Sequence, residues 1–358
     1  MATTLYVTST KRFSGKTALC MGLAYRFQKA GLASGYMKPV STTARAVGEQ
    51  IIDEDAVFIR AALGQTDPPE IMVPLILSEQ EARAALERPD HKEIEARLLA
   101  AHRVVSENKD VVIMEGGSSL REGFIVNLQA AKVAEVTGAR TVVIVPYQNT
   151  LQTIDDLLAA HEWLGRSALG AVINSVPQYN MGLVQEKVKP YMEKRGLPVF
   201  AVIPRNKALM SISIRELVDE LGGEVLCCRN ADDELVETLM VGAMSAESAL
   251  THFRRGVNKA VITGGDRPDI QLAALETSTR CLILTGNLRP SSLIIGLAEE
   301  RGVPIILSHY DTMKTMEIVE GFFGKTRFHQ PKKVEHFKAL LDKYMDFTGL
   351  GKALGLPL

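Results

Sequence analysis

Gly15-Lys16-Thr17 is the triplet in this chain with the clearest chemistry. An apolar run, Thr4-Leu5-Tyr6-Val7-Thr8, precedes it, and a helix-like run from Ala18 to Lys29 comes after it. Strand, small-residue loop, Gly-Lys-Thr and helix form the architecture of a phosphate-binding loop, or P-loop. In such a loop, backbone N–H groups and the helix N-terminus face phosphate oxygens. Ser14 and Gly15 supply the backbone, the Lys16 ammonium neutralises the β- and γ-phosphates, and the Thr17 hydroxyl ligates Mg²⁺. The expected cofactors are therefore ATP and Mg²⁺. The first glycine of G-x-x-x-x-G-K-T would fall at Thr10, so the match is incomplete. An accidental Gly-Lys-Thr at a helix start is the bland alternative.

Three more segments carry charge where chemistry would need it. Gly35-Tyr36-Met37-Lys38-Pro39-Val40 ends an apolar run in a lysine that can reach a phosphate or an anionic substrate. A solvated lysine before a turn proline is the alternative there. Val111-Val112-Ile113-Met114-Glu115-Gly116-Gly117 delivers one carboxylate and then two glycines that allow close backbone approach. It has the form of an acidic magnesium position; a strand-end Glu capping a loop is the alternative. Asp53-Glu54-Asp55 precedes a helix pattern at Ala56, where one aspartate serves either the metal or the helix N-cap.

The elements that must position these groups alternate along the first half. Buried-strand patterns fall at Leu5–Thr8, Ala33–Val40, Val111–Glu115, Thr141–Pro146, Leu169–Asn174 and Pro198–Ile203. Helical periods fall at Ala18–Ala30, Ala56–Leu63, Ser78–Asn108, Gln129–Thr137, Thr150–Leu164 and Gly182–Arg195. Apolar strands separated by helices predict an α/β fold, a parallel sheet with helices on both faces. Ligands of such sheets bind beyond the carboxyl ends of the strands, where the charged segments lie.

Composition narrows the class. The 358 residues suit two or three domains, and 46% hydrophobic with 23% charged residues is ordinary for globular chains. A net charge of −1 gives no basic field for nucleic acid. Cys20, Cys227, Cys228 and Cys281 show neither a disulfide framework nor metal-ligand spacing, so a reduced, cytoplasmic protein is expected. No N-terminal signal is visible, and the apolar runs are too short to span a bilayer. Neither a membrane nor a nucleic acid is an expected partner.

Together the motifs resemble the dethiobiotin synthetase family, within the P-loop group that includes cobyrinic acid a,c-diamide synthase. The matching pieces are Gly15-Lys16-Thr17, Gly35-x-x-Lys38-Pro39-Val40, Asp55-Ala56 and Glu115-Gly116-Gly117. Asn174 matches the asparagine that contacts adenine in that family, and Val202-Ile203-Pro204 resembles its last strand and nucleotide-side loop. The resemblance covers about residues 1–208. It implies an ATP-dependent ring closure through a phosphorylated carbamate, with Asp55 and Glu115 joining Thr17 at the metal. Lys38 would stabilise the transferring phosphoryl group or the carbamate. Lys11 has the spacing of the signature lysine of partition and septum-site ATPases, which crosses a dimer to the partner's nucleotide. An exposed loop lysine is the alternative. Active sites near two-fold interfaces are common in these relatives, so a homodimer is expected. Ser118-Ser119-Leu120-Arg121 departs from the family on the substrate side.

The second half reads as a separate domain after a boundary in Arg205–Ser211. Strand patterns fall at Glu224–Cys228, Glu237–Val241, Ala260–Thr263, Cys281–Leu284 and Pro304–Leu307. Helices are expected at Ala246–Arg254, Ile270–Glu276, Ser292–Arg301 and Thr312–Phe322. The run Val261-Ile262-Thr263-Gly264-Gly265-Asp266-Arg267 and its surroundings resemble the DRTGG domain. Backbone N–H groups there, with Arg267, can form an anion-binding loop; a glycine turn joined to a capped helix is the alternative. The two-domain order resembles the N-terminal region of long bacterial phosphotransacetylases. The expected division is 1–208, 209–325 and a helical tail at 326–358, too short for an acetyl-transfer domain. A second Gly-Lys-Thr at 324–326 comes after a helix pattern and is not read as a P-loop. Two functions are compatible with these residues. One is a P-loop enzyme phosphorylating or ligating a carboxylate-bearing small molecule. The other is an ATP-responsive regulatory module whose DRTGG-like domain senses a ligand, such as an anionic metabolite, or contacts a metabolic enzyme.

Overall fold

Alternating buried strands and helices build two compact units in the computed structural model. It describes residues 2–47, 50–87, 91–322, 328 and 330–358. Unit one comprises Met1–Arg205 with Pro331–Leu358, and unit two comprises Asn206–Gln330. The sequence-based division treats 326–358 as a tail. The chain instead returns, and its last helices complete the first unit's core.

The first unit is a six-stranded sheet: β1 (Thr3–Ser9), β2 (Ser34–Met37), β3 (Val111–Glu115), β4 (Arg140–Pro146), β5 (Ala168–Val176) and β6 (Val199–Pro204). Their order is β2-β3-β1-β4-β5-β6, and every pairing is parallel. All six expected strands form. Most of their apolar residues are buried, because α1 (Lys16–Lys29), α2 (Glu54–Leu63), α3 (His91–Ser106), α4 (Ala130–Thr137) and α5 (Thr150–Leu164) cover the sheet. Register puts Val7 opposite Glu115 and Pro146 opposite Asn174, so the charged strand ends share one edge.

Two expected helices are interrupted. The 78–108 period resolves into Glu79–Glu87 and α3, and the sequence carries Pro89 between them. A proline removes a helical N–H. The 182–195 period contains Pro190, and a π-helical turn at Val184–Val188 precedes it. The wider turn relieves the clash between the proline ring and the preceding carbonyls.

Of the last helices, α11 (Pro331–Tyr344) forms where a terminal helix is expected, and α12 (Phe347–Leu354) comes after it. Gly22 of α1 explains the docking of α11. A Cβ there would collide with the side chain of Leu341, which is buried together with Phe337.

The second unit has a five-stranded sheet and its own buried core. Its strands are β7 (Glu224–Cys227), β8 (Thr238–Val241), β9 (Lys259–Gly264), β10 (Thr279–Thr285) and β11 (Ile305–Leu307), ordered β7-β11-β10-β9-β8. Only β7 pairs antiparallel. Helices α6 (Ile214–Leu221), α7 (Ala246–Phe253), α8 (Pro268–Leu275), α9 (Ser292–Arg301) and α10 (Thr312–Phe322) pack around it. The α6 capping box, Ser213 with Glu216, starts this unit cleanly after the connection. Among the described residues, no helix is long and apolar enough to cross a membrane.

Both cores can be tested by their stability. Leu341→Ala should destabilise the first unit by about 2–5 kcal/mol, as buried Leu→Ala changes do. Trp163, the chain's single tryptophan, lies in that unit and reports its unfolding. An unchanged melting curve by tryptophan fluorescence would show that the helix is only a tail. The second test uses Lys259, fully buried with its ammonium donating to the carbonyls of Gly256 (3.3 Å) and Ser278 (2.9 Å). Burial lowers its pKa from 10.5 to about 8. Between those values the unfolded chain binds more protons, so stability of the second unit rises with pH across that window. Calorimetry should show this rise, and Lys259→Met should abolish it.

Candidate functional site

The phosphate loop connects β1 to α1 and takes two left-handed residues, Phe13 (φ 53°) and Gly15 (φ 94°). Thr10 has no positive φ, so a side chain in place of the first glycine carries no backbone strain there. Phe13 holds its left-handed conformation with an exposed ring, a geometry that costs about 1–2 kcal/mol. No side chain caps the N-terminus of α1, and the hydroxyls of Ser14, Thr10 and Thr8 are buried without protein partners. An uncapped 14-residue helix and orphaned hydroxyls are what a phosphate-binding loop presents before its ligand. Lys16 Nζ donates to Ser9 Oγ (3.0 Å), and Ser9 Oγ donates to the Lys11 carbonyl (2.8 Å). Burial lowers the Lys16 pKa, opposed by Glu115.

Glu115 is the hinge of the metal side. Its carboxylate is buried at the end of β3 and accepts from Thr17 Oγ1 (2.7 Å) and Tyr36 OH (2.9 Å). Burial pushes the Glu115 carboxyl above its ordinary value, against the pull of Lys38. Burial, and then Glu115, raise the Tyr36 phenol well above its own, so it stays a donor. Among the described residues, no group of three His, Cys, Asp or Glu gathers to hold a metal alone. Thr17 and Glu115, with Asp55 in the field of Glu115, would be the side chains to hold a magnesium there, and phosphate oxygens and water would complete its shell.

Lys38 is buried in a knot of acceptors. Its Nζ lies 2.7 Å from Asp53 Oδ2, 3.3 Å from Asp55 Oδ2 and 3.4 Å from Thr43 Oγ1. Burial alone would lower its pKa; Glu115, Asp55 and Asp53 together outweigh that and raise it, so the ammonium stays charged. Asp53 does double duty. Oδ1 caps α2 through the Ala56 N–H (3.0 Å), while Oδ2 also accepts from Ser41 (2.5 Å) and Thr43 (3.2 Å). The helix-cap alternative thus describes Asp53, and Asp55 sits beside it on the first turn of α2.

The glycines after Glu115 make room for protein. A Cβ at Gly116 would crowd Thr8 Oγ1 and Tyr6 OH, and one at Gly117 would strike the Glu122 side chain. Glu122 folds back onto Ser118, accepting from its N–H (2.7 Å) and its hydroxyl. Burial, and then Glu122, push the Tyr6 phenol up.

The other expected site residues lie around the same strand ends. Asn174 Nδ2 donates to the Ser14 carbonyl (2.8 Å). Pro204 ends β6, one strand beyond Asn174, with Val176 as its register partner. Lys11 pairs with Asp156 of the same chain at 3.2 Å, half-exposed. Sequence reasoning missed Tyr36, Ser9, Asp53 as a lysine partner, and Glu122. Only Tyr36 and Asp53 had a signal, being neighbours of residues already singled out.

In the second unit, Gly264 ends β9 and Gly265 begins the turn after it. A Cβ at Gly265 would overlap the Leu288 carbonyl, so close packing requires that glycine. Arg267 pairs with Asp269 at 3.0 Å and donates to the Met244 carbonyl (3.0 Å). Buried Gln271 donates to the carbonyls of Gly264 (2.9 Å) and Gly265 (3.1 Å). These contacts fit the glycine turn of the alternative, with Arg267 bracing it, but neither Asp266 nor Asp269 caps α8, whose N-cap is Arg267 without a side-chain capping bond. The second Gly-Lys-Thr, 324–326, lies outside the described residues.

Comparisons with known proteins agree with this layout. The AAA domain family model matches residues 3–213, and the DRTGG domain model matches residues 216–322. A phosphate acetyltransferase of Nitratidesulfovibrio vulgaris is 26% identical over 99% of this chain and 52% of its own length. That of Synechocystis is 25% identical over 97% of this chain and 51% of its own. The chain thus spans about half the length of these curated relatives. Cobyrinic acid a,c-diamide synthase from Mycobacterium smegmatis, solved with ADP and magnesium, is 19% identical, covering 58% of this chain and 88% of its own, with a TM-score of 0.35. With a P-loop at the end of β1 and the family match spanning more than half its length, the chain belongs to the AAA domain family and carries a DRTGG domain behind it.

Proposed function

We propose that this protein is a Mg²⁺-ATP-binding regulatory module that carries a DRTGG domain. The observation that carries the regulatory reading is the division of labour at the first site. The phosphate and metal side, Lys16, Thr17 and Glu115, is assembled, with Thr17 and Glu115 in contact. The acceptor side offers Lys38, whose charge Asp53 and Asp55 already neutralise. An anionic acceptor would have to displace a buried carboxylate, which is costly. The curated relatives are named phosphate acetyltransferases, and this chain matches about half of each; we read the shared span as a regulatory part. Four free cysteines and ATP use fit a cytoplasmic setting.

A second reading, ATP-dependent phosphorylation or ligation of a carboxylate-bearing small molecule, is favoured by the position of Lys38. It is buried at the end of β2, within the field of Glu115. That reading requires Lys38 to leave Asp53 for the substrate.

Three carboxylates, Asp53, Asp55 and Glu115, face two ammonium groups, Lys16 and Lys38. Free triphosphate meets net negative charge, so binding should depend on magnesium. Calorimetry should show ATP affinity falling strongly when EDTA replaces Mg²⁺. Lys16→Ala should cost roughly 10- to 100-fold, the range of a charge-assisted phosphate contact. Unchanged affinity in a folded Lys16→Ala protein would remove the nucleotide reading.

Turnover separates the two functions. Phosphate release from ATP, followed across a panel of mono- and dicarboxylates with and without bicarbonate, should stay at background. Stimulated release that is lost in Lys38→Ala would establish the enzyme reading instead.

A further inference from the structure

We propose that Asn174 is a positioning residue for the phosphate loop. The proposal rests on the nucleotide-binding reading of Lys16 and Thr17. Asn174 belongs to β5, and β4 separates that strand from β1. Its backbone is fixed, with its carbonyl accepting from the Tyr147 N–H at 2.8 Å. Its side chain reaches past the end of β4 to the loop, where Nδ2 donates to the Ser14 carbonyl (2.8 Å).

Part of the amide is already committed to the chain itself. Oδ1 accepts from the Ser175 N–H at 2.8 Å, at a residue turned into the left-handed region (φ 59°). That bond fixes which end of the amide faces the loop. A carboxamide reads adenine by donating and accepting at once. Here one donor and one acceptor position are engaged by the chain's own backbone, which ties the amide to the loop.

Two features show that loop and amide are fitted to each other. A Cβ at Gly15 would stand 2.7 Å from Asn174 Nδ2, so the loop lies flush against the amide only because residue 15 is glycine. The planar trans peptide then transmits the contact. The Ser14 carbonyl and the Gly15 N–H belong to one peptide unit and point in opposite directions. Pinning the carbonyl toward Asn174 aims the Gly15 N–H away from it. In a P-loop, that N–H faces the phosphates. Asn174 thus sets the orientation of a phosphate donor from two strands away.

The test titrates wild type, Asn174→Ala and Asn174→Asp with Mg²⁺-ATP, Mg²⁺-GTP and Mg²⁺-tripolyphosphate, using the full chain and calorimetry. A positioning role predicts that Asn174→Ala weakens all three by a similar factor, about tenfold for one lost hydrogen bond near the phosphates. Asn174→Asp, which sets a carboxylate oxygen against the Ser14 carbonyl, should weaken all three at least as much. If the alanine variant does not fold, the isosteric aspartate variant decides alone. Loss confined to ATP, with GTP and tripolyphosphate unchanged, overturns the proposal in favour of base recognition. No loss for any ligand overturns it as well. Wild type binding none of the three overturns the nucleotide reading beneath it, and the proposal with it.

Discussion

The buried carboxylate of Glu115 is the constraint on which the first unit's site depends. An ionised carboxylate without partners would cost several kcal/mol in such a place. The fold supplies donors from two directions, Thr17 from α1 and Tyr36 from β2. Those bonds fix the approach of α1 to the sheet and require β2 beside β3. The loop that cradles phosphate and the strand that carries the carboxylate are therefore aligned by one group. Lys38 belongs to the same balance of charge. Its ammonium lies in the field of Glu115 while bonded to Asp53 and Asp55, so the interior holds a nearly balanced cluster rather than one isolated ion.

Close packing does the remaining positioning, through missing Cβ atoms. Gly15 lets the loop meet Asn174, Gly116 lets the β3 exit pass Tyr6 and Thr8, and Gly22 lets Leu341 settle on α1. Each glycine joins segments far apart in sequence. In the second unit Gly265 plays the same part against Leu288, and Arg267 is occupied by Asp269 and the Met244 carbonyl. A glycine-rich turn after a parallel strand is thus a packing device in the second unit and the P-loop in the first. The helix after each turn makes the difference. Neither has a side-chain cap; in the first unit it is a 14-residue helix over orphaned hydroxyls, and in the second a helix of eight residues whose preceding arginine is already paired.

The two units also differ in how they handle buried charge. The first gathers acids and bases so that each offsets another. The second buries Lys259 with only backbone carbonyls as partners, and its ammonium is held near the point of losing its proton. Carbonyl dipoles satisfy the N–H groups without neutralising the charge, so burial shows through in the titration.

Much of this was legible in the residues themselves. Apolar runs bounded by helical periods marked the main-sheet strands of both units, because strands buried on both faces must be apolar throughout. Gly15-Lys16-Thr17, Lys38, Asp55 and Glu115 were visible because a charged residue at the end of such a run is conspicuous. Tertiary structure decided the rest. Sequence does not show that Asp53 both caps α2 and holds Lys38, since a cap and an ion pair use the same residue type. It does not show that Tyr36 bonds Glu115, because the strands meet only once sheet order is set. Nor does it show that Asn174 commits its amide to Ser14, a contact across 160 residues. The return of Leu341 to Gly22 is equally silent, since a glycine in a helix looks the same whether it weakens the helix or admits a neighbour. Local pattern determined which elements form, and the three-dimensional contacts between them determined what each polar group does.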